Sequence, residues 1–275
     1  MNIKDIESEE GMILWRECLN SHLNHLIENL EVVRNSNNYR VVKLYPLYAS
    51  IIEDIISLDI LTKHSRLNQC YIISRALLER VINYCYLLYA SNEEYESYVD
   101  YTKNKAARSL SRSIELDGVK KVSVEFANGY YELPEDYKKA VDKFTSKNGK
   151  EIPRWTSLNI DKRAIFLDEK SGKNLLLHVL MIYGDASEAL HGTLYGTLFH
   201  LGTYNIGSIP TDQNSLDEHR NSALSFLYFM ASSAIGTLFF ALKDNGVEVN
   251  ESYEQMESKF KSVTINTGLA KSQLG

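Results

Sequence analysis

Arg75 and Glu79 stand four residues apart in YIISRALLERVINYCYLL, and Tyr183, Ser187 and His191 stand four apart in NLLLHVLMIYGDASEALHGTLYGTLFH. Each set falls on one face of a helix. Arginine carries a planar, permanently charged fork that suits a phosphate. Histidine moves protons near neutral pH. Together they allow one chemistry: Arg75 binds an anionic group, Glu79 orients Arg75, His191 acts as acid or base, and Tyr183 and Ser187 position His191 or the substrate. The same residues also allow a structural network, because a buried charge is costly unless paired. Either way Arg75, Glu79, Tyr183 and His191 are expected to meet.

The helices that carry them read as core elements. In the second, Leu176, Leu180, Tyr183, Ser187, Leu190, Leu194 and Leu198 form the expected inward stripe, with His191 at its border and Asp185 and Glu188 toward solvent. The periodicity predicts further helices over about 8–36, 46–63, 65–90 and 92–116, a short one after Pro134, another over about 160–169, and a last major one opened by Ser215-x-x-Glu218. A hairpin is expected to turn at Asn128-Gly129. The fold class is therefore all-α: a bundle of six to eight helices spanning residues 1–246. A small irregular or hairpin insertion occupies 117–153, and a tail over 247–275 has room for one short helix.

Composition narrows the function. A net charge of -6 over 275 residues argues against a dominant non-specific nucleic-acid surface. A local stripe remains: Lys105, Arg108 and Arg112 follow Tyr95, Tyr98 and Tyr101 on a helix. It is either a solvated surface or a phosphate-contacting, nucleic-acid-binding face with stacking tyrosines. Cys18, Cys70 and Cys85 form no ligand spacing, so no metal site and no cofactor is expected, and they read as reduced core thiols of a cytoplasmic protein. The uncharged run Ala223 to Leu242 is long enough to span a bilayer, but four Ser or Thr dilute it and no basic flank marks it, so a buried core helix is the preferred reading. Its Ala231-Ser232-Ser233-Ala234 and Gly236 would let another helix approach closely, and a homodimer is expected there.

Arg75-x3-Glu79, Trp155, and Tyr183-x3-Ser187-x2-Leu190-His191-Gly192 resemble the pattern of an uncharacterised family of all-helical bacterial proteins, over about 44–242. That family is similar to the HEPN helical domains of toxin–antitoxin and phage-defence systems. The resemblance implies an effector acting on RNA or a nucleotide, with metal-independent ribonuclease chemistry and a partner protein from the same operon. HEPN ribonucleases carry Arg-x(4–6)-His on one helix. The matching spacing here is Arg16-x5-His22, but Arg16 is followed by Glu17 rather than Asn. The competing reading is a non-catalytic helical interaction or scaffold protein.

Overall fold

The computed structural model describes residues 5–126, 132–203, 207 and 212–269. The chain forms two compact units, one from residues 1–88 and 160–275, the other from 89–159.

The first unit is wholly helical. α1 (Glu9–Glu28) starts where the Ser8 hydroxyl accepts from the Gly11 amide. It stops at Asn29, whose side chain turns to the His25 carbonyl and the Ser252 hydroxyl, so the helix expected to reach residue 36 resumes only as the short α2 (Leu30–Arg34). α3 (Tyr39–Lys43) leads into α4 (Tyr45–Lys63), which has Pro46 in its first turn, where a missing amide costs nothing. α5 (Leu67–Tyr89) is the most buried of these, with thirteen core positions. After the second unit come α8 (Ile160–Ser171), α9 (Leu175–His191), α10 (Leu194–Phe199), α11 (Gln213–Asp244) and α12 (Asn250–Asn266).

α11 is the axis of this unit. It is the one described helix long and apolar enough to cross a membrane, and 83% of its apolar window is buried inside the protein. α1 and α12 pack on it, with Trp15 set edge-on against Phe229 and Phe260 at 5.1 and 5.3 Å. Ala231, Ser232, Ser233, Ala234 and Gly236 are all buried here, which corrects their assignment as a dimer contact: the close approach they permit is used within the chain. α11 also starts earlier than the Ser215 box suggests. Asp212 caps it, accepting from the amides of Asn214 and Ser215.

The second unit holds α6 (Asn92–Ser109), an antiparallel hairpin of β1 (Ser111–Leu116) and β2 (Val119–Glu125), and α7 (Glu135–Lys143). The expected turn at Asn128-Gly129 lies outside the described residues. The described hairpin, one strand earlier, turns at Asp117-Gly118, both in the left-handed region at φ 53° and 73°. Two successive positive φ values define the tight turn that matches strand twist, and Asp-Gly supplies it. Helix therefore ends at Ser109, not near Leu116. Twelve helices are described in all, more than the six to eight expected of the bundle, because breaks at Asn29 and Gly192 each divide one long periodic run, α3 is a single short turn, and α12 lies in the tail beyond residue 246.

Candidate functional site

α9 buries a different face from the one its leucines suggest. Leu175, His178, Val179, Ile182 and Ala186 point into the core. Leu176, Leu180, Leu190 and Leu194 are exposed, Leu180 by 74%, which overturns the expected inward stripe except at buried Leu198. The helix is apolar nearly all round, so hydropathy offers two candidate faces, and packing against α8 and α11 selects one. Replacing Leu180 with Gln is accordingly expected to change unfolding free energy by no more than about 0.5 kcal/mol, measured by urea denaturation.

This rotation places Tyr183 at the edge of the buried face, where it meets α5. The Arg75 guanidinium carbon lies 4.3 Å from the centre of the Tyr183 ring. Arg75 Nε donates to Glu79 Oε1 at 3.0 Å. The carboxylate of Glu79 also lies beside the Tyr183 hydroxyl; burial first, and this neighbour second, raise the phenol far above its ordinary range. From α8 comes Arg163, which donates to the Asn83 side chain one turn beyond Glu79. Burial lowers its guanidinium, opposed by the fields of Tyr183 and Glu79. The cluster thus sets two guanidiniums around one carboxylate. It sits at the rim of the core rather than inside it, with the Arg75 and Glu79 side chains 28% and 40% exposed. The Tyr183 ring supports the guanidinium from one side and Glu79 holds its Nε, while among the described residues its two terminal nitrogens have no hydrogen-bond partner.

The other expected site residues lie apart. Ser187 is half-buried and His191 is exposed at the last position of α9, before Gly192 ends the helix. Eight residues separate His191 from Tyr183, about 12 Å along the axis, so it does not join the cluster. Asp185 and Glu188 are engaged rather than free in solvent: Asp185 accepts from the Tyr195 hydroxyl at 3.1 Å, and Glu188 from Thr193 at 2.6 Å. The HEPN-like pair on α1 is dispersed as well. Arg16 is held by Asp59 at 2.9 Å, and His22 is buried with Nε2 3.3 Å from the Met256 carbonyl.

The basic stripe is not a stripe. Lys105 pairs with Glu151 at 2.8 Å, Arg108 donates to Asn104 and Thr145, and Arg112 sits on β1 rather than on the helix. Tyr98 packs edge-on against Trp155, and Tyr101 donates to the Pro153 carbonyl. These groups hold the second unit together. The residues that sequence reasoning missed are Arg163 and Asn83 in the cluster, and His178 in the core. Asn83 extends the Arg75, Glu79 row by one more turn of four, and that spacing was the available signal.

No curated protein and no solved structure matches this chain. Residues 43–208, which include every member of the cluster, match the model of a family of unknown function, DUF5677, and with more than half of its length inside that match the chain belongs to this family.

Proposed function

We propose that the protein is a cytoplasmic, HEPN-like effector of the phage-defence or toxin–antitoxin kind, which binds RNA or a nucleotide with Arg75 as its phosphate anchor. One observation carries this reading: the Arg75 guanidinium sits over the Tyr183 ring and is tethered at Nε by Glu79, leaving its fork of terminal donors open. A pre-positioned guanidinium loses little side-chain freedom on binding and takes two phosphate oxygens at once. Arg163 adds a second positive charge against the single carboxylate. His191 lies about 12 Å along α9 from Tyr183, and so faces a phosphate further along than the one Arg75 holds. A polynucleotide running along α9 brings a later phosphodiester to it, whereas a mononucleotide does not. The ribonuclease form of the proposal therefore needs a strand.

Filter binding and cleavage of total RNA test this. Arg75→Ala is expected to weaken binding by about ten-fold or more, the loss of one or two charge-assisted hydrogen bonds. His191→Ala is expected to keep binding and lose cleavage. A wild-type chain that binds neither RNA nor nucleotides, and does not harm cells expressing it, sinks the proposal. The second reading, a non-catalytic interaction protein recruited by a partner from the same operon, draws support from the open apolar row Leu176, Leu177, Leu180 and Met181 on α9.

A further inference from the structure

The β1–β2 hairpin sorts its side chains by face. Arg112 pairs with Val124, Ile114 with Val122, and Leu116 with Val119. A register shift follows Ile114, where Glu115 pairs with Lys120 and Lys121 is left as an extra residue. Without that bulge, strict alternation would put Val119 on the face opposite Val122 and Val124; with it, all three share one side. One face therefore carries Ile114, Leu116, Val119, Val122 and Val124, with Arg112 at the open end. The other carries Ser111, Ser113, Lys120, Ser123 and Glu125. Such segregation is what a sheet shows when one side packs on a core. Yet these five apolar residues are 46–57% exposed, and Phe126, next along, is 69% exposed. A lone two-stranded ribbon is marginal in water and gains most from covering such a face.

The charges select the occupant. Residues 111–126 contain Arg112, Lys120 and Lys121 against Glu115, Asp117 and Glu125, a balance that gives no net field to draw nucleic acid or an anionic lipid surface. Arg112 is the one charge on the apolar face, and exposed Asp117 marks the opposite end at the turn. The two lie about 17 Å apart along the strand. A two-fold axis lying between two such hairpins and running across their strands superposes the ends in reverse. Arg112 of each copy then meets Asp117 of the other, while the apolar residues meet in the middle at the usual sheet spacing of about 10 Å.

We propose that this face is a self-association surface: the hairpins of two copies pack face to face, closed at each end by an Arg112–Asp117 pair. Each copy buries roughly 400 Å², about half of a standard interface, so the dimer is weak, with a dissociation constant of about 10–100 µM.

Sedimentation velocity of the full chain, from about 5 to 500 µM around that range, tests it. The wild type is expected to pass from monomer to dimer. Ile114→Glu with Val122→Glu is expected to raise the dissociation constant about ten-fold or more, with unchanged helical circular dichroism because both side chains are exposed. Asp117→Asn, which keeps a residue tolerant of the left-handed turn, is expected to raise it a few-fold and to flatten its salt dependence. A chain that stays monomeric throughout overturns the proposal. So does a dimer that the hairpin variants leave intact, or one that Leu180→Glu on α9 dissociates in their place.

Discussion

Between pH 6.5 and pH 4 the protein is expected to lose several kcal/mol of stability through two buried histidines that carry no charge in the fold. His22 and His178 are each 1% exposed. Burial lowers His178 to about 4, with no opposing partner: neither ring nitrogen has a hydrogen bond among the described residues, and the ring packs edge-on against Phe229. Burial also lowers His22 to about 4, opposed by the Met256 carbonyl and reinforced by His25, Lys173 and Lys259. The unfolded chain binds protons at these rings below its ordinary value of 6.5, and the folded chain does not until near 4. Stability is therefore full above pH 6.5 and falls as pH drops, by at most about 3 kcal/mol per ring once pH reaches 4. Urea denaturation at pH 7.5, 5.5 and 4, about one unit above the transition, within it and at its lower end, measures it. His178→Leu is expected to cost little at pH 7.5, because an apolar replacement leaves no unpaired nitrogen behind, and to remove about half of the acid loss. Parallel pH curves for wild type and variant would exclude this origin.

Gly196→Ala is the second large effect. A Cβ at Gly196 would stand 2.5 Å from the carbonyl carbon and oxygen of Glu188 and 2.7 Å from the Ala189 nitrogen. These are backbone atoms of α9, so no side chain can swing aside. The α9–α10 corner must open, breaking the Thr193 cap that accepts from the Gly196 amide at 3.1 Å and the Thr193–Glu188 contact. The expected cost is about 2–4 kcal/mol, read as a fall in melting temperature, although alanine is otherwise the better helix former. Gly184, on the open face of α9 with nothing near its Cβ position, supplies the control. There the same substitution is expected to stabilise by up to about 1 kcal/mol. Equal effects at both sites would show that the close approach does not govern stability.

Much of the fold is legible in the sequence because the long helices announce themselves by period and cap. Ser8, Ser91 and Pro46 mark starts that the structure keeps. The misses have specific physical causes. Asp117-Gly118 is at once a good helix stop and the strongest short hairpin signal, and the residues before it, Ser111 to Leu116, hold both a helical and an alternating pattern. The site was legible in its local pairs and not beyond them. Arg75 with Glu79 is a neighbour relation fixed by helix geometry. Whether Tyr183 or His191 joins them depends on how α9 is rotated, and a helix with leucine on every side does not encode that. The small residue Ala186, in line with Leu175, Val179 and Ile182, favours the buried side actually chosen.

The first unit is stitched from the two ends of the chain, and this sets the order of events on the ribosome. α1 packs on α11 and α12, Asn29 bonds Ser252, Asn38 bonds the Asn245 carbonyl, and His22 reaches Met256, across gaps of more than two hundred residues. α1 meets α4 early, where the Tyr48 hydroxyl donates to the Leu26 carbonyl and Asp59 holds Arg16, but the face that carries Trp15 waits for its main partner until α11 has left the exit tunnel. The second unit is continuous from Tyr89 to Asn159 and closes on itself while synthesis goes on. A nascent chain stalled before α11 is thus half built: one finished module, and an apolar helix covered on its α4 side and open where α11 and α12 belong.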